Sequence, residues 1–343
     1  MLEILSHQYL KKYVQSHSVD WAHIYSFGRI VSKCIKDKDN FLFNSEIFST
    51  KNWISAVLIS LFLKKEDSTF VLSEEKIEFV KANLIKDLRG LGFNFLLEND
   101  KLIFPNYQVK LITIKNLLSD LNFLKLKQHR VVLAGVQDLK EDLKNHFRIS
   151  LSKNDWFKKS DQSDSMNHNV ISTYNYLKKK FFLRKVIGNS NLFLDKNEIT
   201  FLSKFFNENH SFSHKFFQIS NALSKGWPCW IELDNKNIEW KFFIEPIDEL
   251  YLIKEFLINN QFVFLSVLRK DNFVQKYLKK VSLKINMVIN FKSNFCEKKI
   301  LLYAPPKQIV PNNPLFTKTV IDRCKKIIFF RKGLTLVLSD DAN

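Results

Sequence analysis

The sequence predicts an α/β fold in which helices cover a parallel β-sheet. Four short runs of mostly apolar, β-branched or aromatic residues have the length and composition of buried strands. Stretches with the apolar spacing of helices separate these runs, an order typical of parallel sheets. The four predicted strands are residues 41–43, 69–72, 109–113 and 130–133.

The first half of the chain also contains predicted helices and a small edge strand. Glu74 and Glu75 favour the start of one helix because acidic side chains complement the helix dipole, and Gly90 and Gly92 favour its end. The predicted helices are residues 2–15, 21–35, 53–63, 74–91 and 115–123, with another beginning at 138–143. Residues 101–104 are predicted to form the edge strand.

The second half of the chain is predicted to be richer in helix. Residues 152–169 are rich in Ser, Asp, Asn and Lys, which favours an exposed loop. The predicted helices are residues 174–187, 198–207, 214–223, 249–258 and 316–327. The predicted strands are 262–267, 300–303 and 334–338, together with a hairpin formed by 229–233 and 238–244. Residues 305–314 hold four of the seven prolines and are the best linker candidate.

The composition favours a globular, non-membrane protein. Hydrophobic residues make up 45% of the 343 residues and charged residues 26%, which excludes a disordered chain. No apolar run reaches the roughly 18 residues of a membrane span. The N-terminus lacks a basic segment followed by an apolar core, so we expect no signal peptide and a cytoplasmic location.

The cysteine and histidine patterns predict no metal site. Cys34, Cys229, Cys296 and Cys324 lie far apart without a CxxC pair, so we expect buried, reduced thiols. The eight histidines include no HExxH motif, and the i, i+4 pair His210 and His214 lacks an evident third ligand. The absence of a GxSxG motif gives no support to a serine hydrolase.

The charge balance favours a polyanionic partner. The formal net charge is +18, and clustered cations gain affinity for nucleic acid by releasing counterions. A coding bias towards AT-rich codons is the alternative explanation, because Lys, Asn, Ile and Phe are all abundant while Gly and Pro are scarce. We therefore expect contact with nucleic acid, although the net charge alone does not establish it.

Residues 41–63 have the layout of a phosphate-binding P-loop, namely a strand, an eight-residue loop and a helix. Lys51 occupies the position of the P-loop lysine. Ser45 and Thr50 stand where the two glycines belong, and Asn52 stands where the metal-binding hydroxyl belongs. These four residues are the candidate nucleotide-binding positions. The alternative is an ordinary strand–helix turn with one surface lysine, because glycine lets the backbone approach a phosphate and these residues restrict it.

Aromatic residues in the second half have two interpretations. Residues 174–185 mix aromatic and cationic side chains as a strand-binding helix does, and an amphipathic helix with Phe181 and Phe182 in the core fits equally well. Trp227, Trp230 and Trp240 around the predicted hairpin are candidates for base stacking. We favour their packing against the domain, because hairpin aromatics normally bury their area.

Short pieces along nearly the whole chain carry a family resemblance. The P-loop-like unit 41–63 is one of them, and residues 131–137 fall where the family has Asp-Glu-Ala-His. The other pieces are 21–23 with 28–31, 70–74, 111–113, 245–246, 264–268, 302–316 and 333–338. In their order these pieces resemble the DinG-type superfamily 2 DNA helicases, in a divergent and degenerate form.

The resemblance implies a RecA-like sheet covered by helices, a mostly helical insertion and a partial second α/β domain. The implied divisions are 1–36 for N-terminal helices, 37–150 with 226–295 for the first RecA-like domain, 151–225 for the insertion and 296–343 for the partial second domain. It also implies ATP and Mg²⁺ as cofactors. The four clustered cysteines of many relatives are absent, so we expect no iron–sulfur cluster.

The departures from the family are chemically specific. Ala134 and Gly135 replace the Asp that holds Mg²⁺ and the Glu that polarises the attacking water. We expect the chain to be truncated before the arginine of the second motor domain. Each of these groups supplies several kcal/mol of transition-state stabilisation. No catalytic residue is therefore assigned.

The sequence thus predicts a helicase homologue that binds single-stranded DNA or another nucleic acid, with vestigial nucleotide binding at Lys51 and without efficient ATP hydrolysis. No membrane partner is expected. Two alternatives remain open. One is an active ATP-dependent helicase, or a fragment of one, whose missing groups are supplied elsewhere. The other is a protein-interaction or structural relic with no ligand.

Overall fold

Two β-sheets form the framework of the chain. The computed structural model describes residues 2–17, 23–37, 39–120, 129–157, 164–183, 191–234, 239–267, 273–291, 318–319, 321–323 and 325. The strands are β1 (Phe41–Asn44), β2 (Ser68–Val71), β3 (Leu96–Glu98), β4 (Lys101–Ile103), β5 (Gln108–Ile112), β6 (Arg130–Ala134), β7 (Ile149–Leu151), β8 (Asn191–Phe193), β9 (Cys229–Asp234), β10 (Glu239–Ile244), β11 (Gln261–Ser266) and β12 (Met287–Asn290). Their orders are β12–β1–β11–β6–β2–β5–β4–β3 in one sheet and β7–β10–β9–β8 in the other.

The helices alternate with the strands of the first sheet and gather beside the second. They are α1 (Leu2–Ser16), α2 (Ile24–Lys36), α3 (Ile54–Lys64), α4 (Glu74–Phe79), α5 (Ile85–Gly90), α6 (Ile114–Ser119), α7 (Leu139–Phe147), α8 (Lys153–Phe157), α9 (Asp164–Leu183), α10 (Lys196–Glu208), α11 (His214–Ser224), α12 (Lys254–Asn259) and α13 (Phe273–Lys279). A π-helical turn, Val80–Leu84, joins α4 to α5. The predicted helix 74–91 is therefore a continuous helical segment.

The first sheet is mostly parallel. Strands β12, β1, β11, β6, β2 and β5 run parallel to their neighbours, and the β3–β4 hairpin is added antiparallel at the edge. Strand β2 is buried along its whole length, and β11 is buried from Phe262 to Ser266. Strands covered on both faces form continuous apolar runs instead of alternating patterns. The predicted helix-covered, parallel α/β sheet is confirmed, and its RecA-like identity stays a prediction.

Helices cover both faces of this sheet. Along β11, Val263 and Leu265 pack into one apolar cluster, while Phe262 and Phe264 pack into the other, following the two-residue period of a strand. The first cluster also contains buried residues of α1 to α5, and the second contains those of α6, α7, α12 and α13. The sheet therefore lies between two helical layers. The loops that connect strands and helices lie at the two ends of the strands.

The second sheet forms its own lobe with α8 to α11. Its four strands are antiparallel, and a third apolar cluster lies between this sheet and the four helices. Trp156 and Trp240 are at its centre, with ring centroids 5.3 Å apart, and both are almost fully buried. The predicted hairpin is confirmed as β9 and β10, and its burial of Trp240 is the packing that we favoured. The sequence-based division at residue 226 falls inside this lobe, because the hairpin pairs with β7 and β8.

The prediction of an exposed loop at 152–169 is wrong for the described residues of that range. Helix α8 covers 153–157, and α9 begins at Asp164. Ser152 donates from its backbone N–H and its hydroxyl to Asp155 Oδ2, at 2.8 and 2.9 Å, and so holds the start of α8. Trp156 is the buried residue of this short helix and packs in the core. The polar residues that predicted a loop form the outer face of the helix.

Several short elements were not predicted from the sequence. These are β3, β7, β8, β12 and α13. Each has three to seven residues. Strands β7 and β8 are held by pairing with the hairpin, and β12 by pairing with β1. Tertiary pairing therefore fixes these strands where local propensity is weak.

The chain divides into two compact units, Met1–Ser293 and Asn294–Asn343. The described residues of the second unit, all between 318 and 325, are helical and fall within the predicted helix 316–327. The predicted strands 300–303 and 334–338 and the linker 305–314 lie outside the described residues, as do Cys296 and Cys324. Cys34 and Cys229 are buried free thiols, and burial raises their pKa values to about 12 and about 11. Among the described residues, no helix combines the length and apolar character of a membrane span.

Candidate functional site

The P-loop-like turn and the tip of β6 lie at the same edge of the first sheet. Strand β11 separates β1 from β6, and the register aligns Phe43 with Leu265 and Leu265 with Ala134. Two strand spacings amount to about 10 Å. In open α/β sheets, ligands bind outside the carboxyl ends of such strands. The edge that carries Lys51, Ala134 and Gly135 is therefore the first place to look for a nucleotide site.

The loop after β1 uses its own backbone hydrogen bonds. A 3₁₀ turn, Glu46–Ser49, occupies its middle, and Ser45 precedes this turn. The Phe48 N–H donates to Ser45 O at 3.2 Å, and the Thr50 N–H donates to Ile47 O at 2.9 Å. The Thr50 hydroxyl donates to the same carbonyl at 2.8 Å. These N–H groups therefore bond within the loop, whereas in a P-loop they point at a phosphate.

Apolar side chains fix this loop against the helical layer. Ile47 and Phe48 are buried, and the Phe48 ring lies 5.5 Å from the Phe27 ring and 5.3 Å from the Trp53 ring, between centroids. The buried Ser45 hydroxyl accepts a long hydrogen bond from the Ile47 N–H, at 3.4 Å. The loop is thus a packed turn with a hydrophobic anchor.

Lys51 binds a carboxylate of the protein itself. Its Nζ lies 2.6 Å from Glu75 Oε1 and 5.4 Å from the Phe79 ring centroid. The hydrogen bond and the charge of Lys51 hold the pKa of Glu75 below its usual value. The neighbouring Lys76 donates to Phe48 O at 2.8 Å. Asn52 is exposed, and its carbonyl accepts a bond from the Ser55 hydroxyl at 3.4 Å.

The tip of β6 carries backbone and amide groups and no carboxylate at Ala134 or Gly135. Gly135 has a positive φ of 79°, and its N–H donates to Leu265 O at 3.0 Å. Gln137 Oε1 accepts the Val267 N–H at 3.2 Å, while its Nε2 donates to Asp138 Oδ2 at 2.7 Å. Asp138 is the residue before α7, four positions past Ala134. Neither Ala134 nor Gly135 has a side chain that ligates Mg²⁺ or accepts a proton.

The residues at this edge do not fit ATP and Mg²⁺. Hydrolysis of ATP needs a carboxylate that holds Mg²⁺ and a group that orients the attacking water, and Ala134 and Gly135 supply neither. Within the described part of the chain, no group of three His, Cys, Asp or Glu side chains is placed to hold a metal ion.

A larger groove lies between the end of α7, strand β7 and helix α11, with a volume of about 490 Å³. Three cationic residues line it, namely Arg148, Lys215 and Lys225. The amide side chains of Gln218 and Asn221 and the half-buried ring of Trp227 also line it. The groove therefore combines positive charge, hydrogen-bonding amides and one aromatic face.

Helix α11 places three of these side chains on one outer face. Gln218, Asn221 and Lys225, the last just past the helix end, follow at intervals of three and four residues, and all three are exposed. Phe216, Ile219 and Leu223 occupy the opposite face and are buried in the second lobe, and the buried Ala222 lies beside the groove. The amphipathic pattern of α11 therefore fixes which of its residues face the groove.

The end of α11 positions Trp227. Gly226 has a positive φ of 70°, and its N–H donates to Leu223 O at 2.9 Å. The Trp227 N–H donates to Ala222 O at 3.1 Å. Together these two bonds form a Schellman motif, which requires the left-handed residue that glycine adopts without strain. The tryptophan is thus held at the mouth of the groove by backbone geometry.

Substituting Gly226 tests this positioning. We expect Gly226→Ala to lower the free energy of unfolding by about 1 kcal/mol, because the added Cβ strains a left-handed residue. Gly226→Asn should cost less, since asparagine tolerates this conformation. Urea unfolding of both variants measures the difference. Equal stability of the alanine and asparagine variants would contradict the motif.

Cations outnumber carboxylates around the groove. Glu245 is shared by Lys144 at 3.1 Å and Arg148 at 2.9 Å. Burial raises the pKa of Glu245, but the hydrogen bonds and charges of the two cations outweigh burial and leave the pKa below its usual value. Lys215 binds Asp155 at 2.8 Å, and Lys225 is exposed. At neutral pH four cations thus face two carboxylates.

A scan against protein-family models finds no match for this chain. A search of curated proteins also finds no significant match. The description of the protein therefore depends on its own fold and sites, namely an α/β protein with a packed turn at the sheet edge and a basic groove.

Sequence reasoning missed most of the groove. Of its lining residues, only Trp227 was considered for ligand contact, and packing was preferred for it. The polar residues of the outer face of α11 are spaced by three and four residues, so the sequence alone could have predicted this face. Arg148 and Lys225 belong to segments more than seventy positions apart, and only the fold brings these segments together.

Proposed function

We propose that this chain binds single-stranded nucleic acid through the basic groove, on a degenerate helicase-like α/β core that does not hydrolyse ATP efficiently. The observation that carries the proposal is the combination of Arg148, Lys215 and Lys225 with Trp227 in one cleft. Lysine and arginine neutralise phosphates, and an aromatic face stacks on an unpaired base. The two amides between them have the donors and acceptors that base edges recognise.

The residues at the sheet edge support the proposal that the core does not hydrolyse ATP efficiently. Phosphoryl transfer depends on a metal ion between the phosphates and on a group that orients the nucleophile. Ala134 and Gly135 supply neither function, because neither has a side chain that ligates a metal ion or accepts a proton. On this proposal, the strand–loop–helix layout is inherited from a DinG-like ancestor whose motor chemistry the chain no longer has.

A binding titration tests the proposal. The full chain is titrated into a fluorescently labelled single-stranded oligonucleotide, as DNA and as RNA, and anisotropy is recorded at increasing salt. Three phosphate contacts predict that log K falls against log salt with a slope of roughly −2. An absence of binding to both oligonucleotides, or binding that does not change with salt, would contradict the proposal.

Reversing the charge of Lys225 should weaken this binding. We expect Lys225→Glu to lower the affinity about tenfold and to reduce the salt slope by about one, because one phosphate contact is lost. Lys86→Glu is the matched control, since Lys86 is an exposed residue of α5 and the net charge changes equally. Equal losses in the two variants would show that overall charge, and not the groove, determines binding.

A further inference from the structure

An exposed aromatic pair lies on the second lobe. Tyr176 of α9 is 57% exposed and Phe201 of α10 is 44% exposed, and their ring centroids are 6.1 Å apart. Their helical neighbours Leu177 and Leu202 are buried. The two helices therefore fill the core with one face and direct one aromatic ring each to the solvent.

A lysine follows each ring along its helix. Lys179 comes three residues after Tyr176, and Lys204 comes three residues after Phe201, a spacing that places side chains side by side on a helix. Both lysines are exposed. The ion pair of Lys204 with Glu208 is long, at 3.9 Å. Two rings and two cations thus share one patch.

We propose that this patch is a second stacking site for the same single-stranded nucleic acid, and that it selects unpaired bases over duplex. The inference rests on the proposed function. An aromatic ring stacks on the face of a base, and in a duplex these faces are already covered by neighbouring bases. The lysines contact the flanking phosphates.

The composition of the patch favours a nucleic acid over a protein partner. Lysine is depleted in the cores of protein–protein interfaces, where aromatic residues are joined by other apolar groups. Here Ser172 and Asn197, both exposed, lie four residues before the two rings and therefore one turn away on the same helix faces. Isolated aromatics bordered by lysines and small polar residues match the alternation of base and phosphate along a single strand.

The test compares oligothymidylates of about 6, 12 and 24 nucleotides with a hairpin duplex, using the full chain and the double variant Tyr176→Ala/Phe201→Ala. We expect wild-type affinity to rise with length as both sites are occupied. The double variant should lose about tenfold in affinity per ring on the longest strand and little on the shortest. Its binding to the duplex should not change. Tyr176→Phe keeps the ring and should behave as wild type.

The outcomes separate this inference from the proposed function. If wild-type protein binds none of the oligonucleotides, the proposed function fails and this inference fails with it. If Lys225→Glu weakens binding at every length but the double variant binds as wild type, the groove stands and the second site is wrong. An equal loss on strand and duplex also overturns the second site. Unchanged thermal unfolding of the double variant confirms that any loss comes from the surface.

Discussion

Replacing Trp227 with alanine is expected to weaken the binding of a short single-stranded oligonucleotide by about 5- to 150-fold. This range corresponds to the loss of one stacked base, about 1–3 kcal/mol. The effect should be large because Trp227 is the tryptophan among the groove-lining residues and is held there by the Schellman motif. Anisotropy titration of the labelled oligonucleotide at fixed salt measures the change.

The matched control keeps an aromatic face at the same position. Trp227→Phe should retain most of the affinity, since a phenyl ring still stacks, although it covers less of the base. Both variants should keep the salt slope of the wild type, because no phosphate contact is removed. If the alanine variant binds as tightly as the wild type, Trp227 does not contact the ligand, and the proposal that the groove stacks on an unpaired base is wrong.

Replacing Trp156 with alanine is expected to lower the free energy of unfolding of the second lobe by about 3–5 kcal/mol. Its ring is fully buried and lies within 6 Å, between centroids, of Tyr174, Phe205, Phe206, Phe216 and Trp240. Removal of the ring leaves a cavity that these large side chains fill only in part. Thermal unfolding followed by circular dichroism measures the loss.

Trp156→Phe is the control for this prediction. Within the described residues the buried Trp156 Nε1–H has no hydrogen-bond partner. Phenylalanine removes this unsatisfied donor while it keeps an aromatic ring, so its cost should be well below that of alanine. If the alanine variant unfolds like the wild type, residues 153–157 do not belong to the core and the helix assigned there is wrong.

The sequence contained enough information for the central strands of the main sheet, although not for its edge strands β3 and β12. The runs around Val71, Val132 and Phe264 are strongly apolar because strands buried on both faces need no polar alternation. The polar segment around Trp156 misled the prediction, since one tryptophan carries the packing of a five-residue helix. Hydrophobic periodicity cannot detect a helix whose buried face holds a single residue.

In the candidate sites, too, local features could be predicted from the sequence and long-range contacts could not. The P-loop-like layout around Lys51 was visible as strand, loop and helix, and the absence of acidic side chains at Ala134 and Gly135 was readable from residue types alone. The pairing of Lys51 with Glu75 was not, because Glu75 belongs to the helix after the next strand. The groove requires that the end of α7 and strand β7 lie beside α11, which depends on long-range packing and not on local sequence.

The most direct test of the central claim is ATP turnover measured while the protein is saturated with a single-stranded oligonucleotide, as monitored by anisotropy. The proposed function predicts bound oligonucleotide together with turnover no higher than that of Lys51→Ala. Oligonucleotide-stimulated turnover that disappears in Lys51→Ala would contradict it, because the edge carrying Ala134 and Gly135 would then still support hydrolysis.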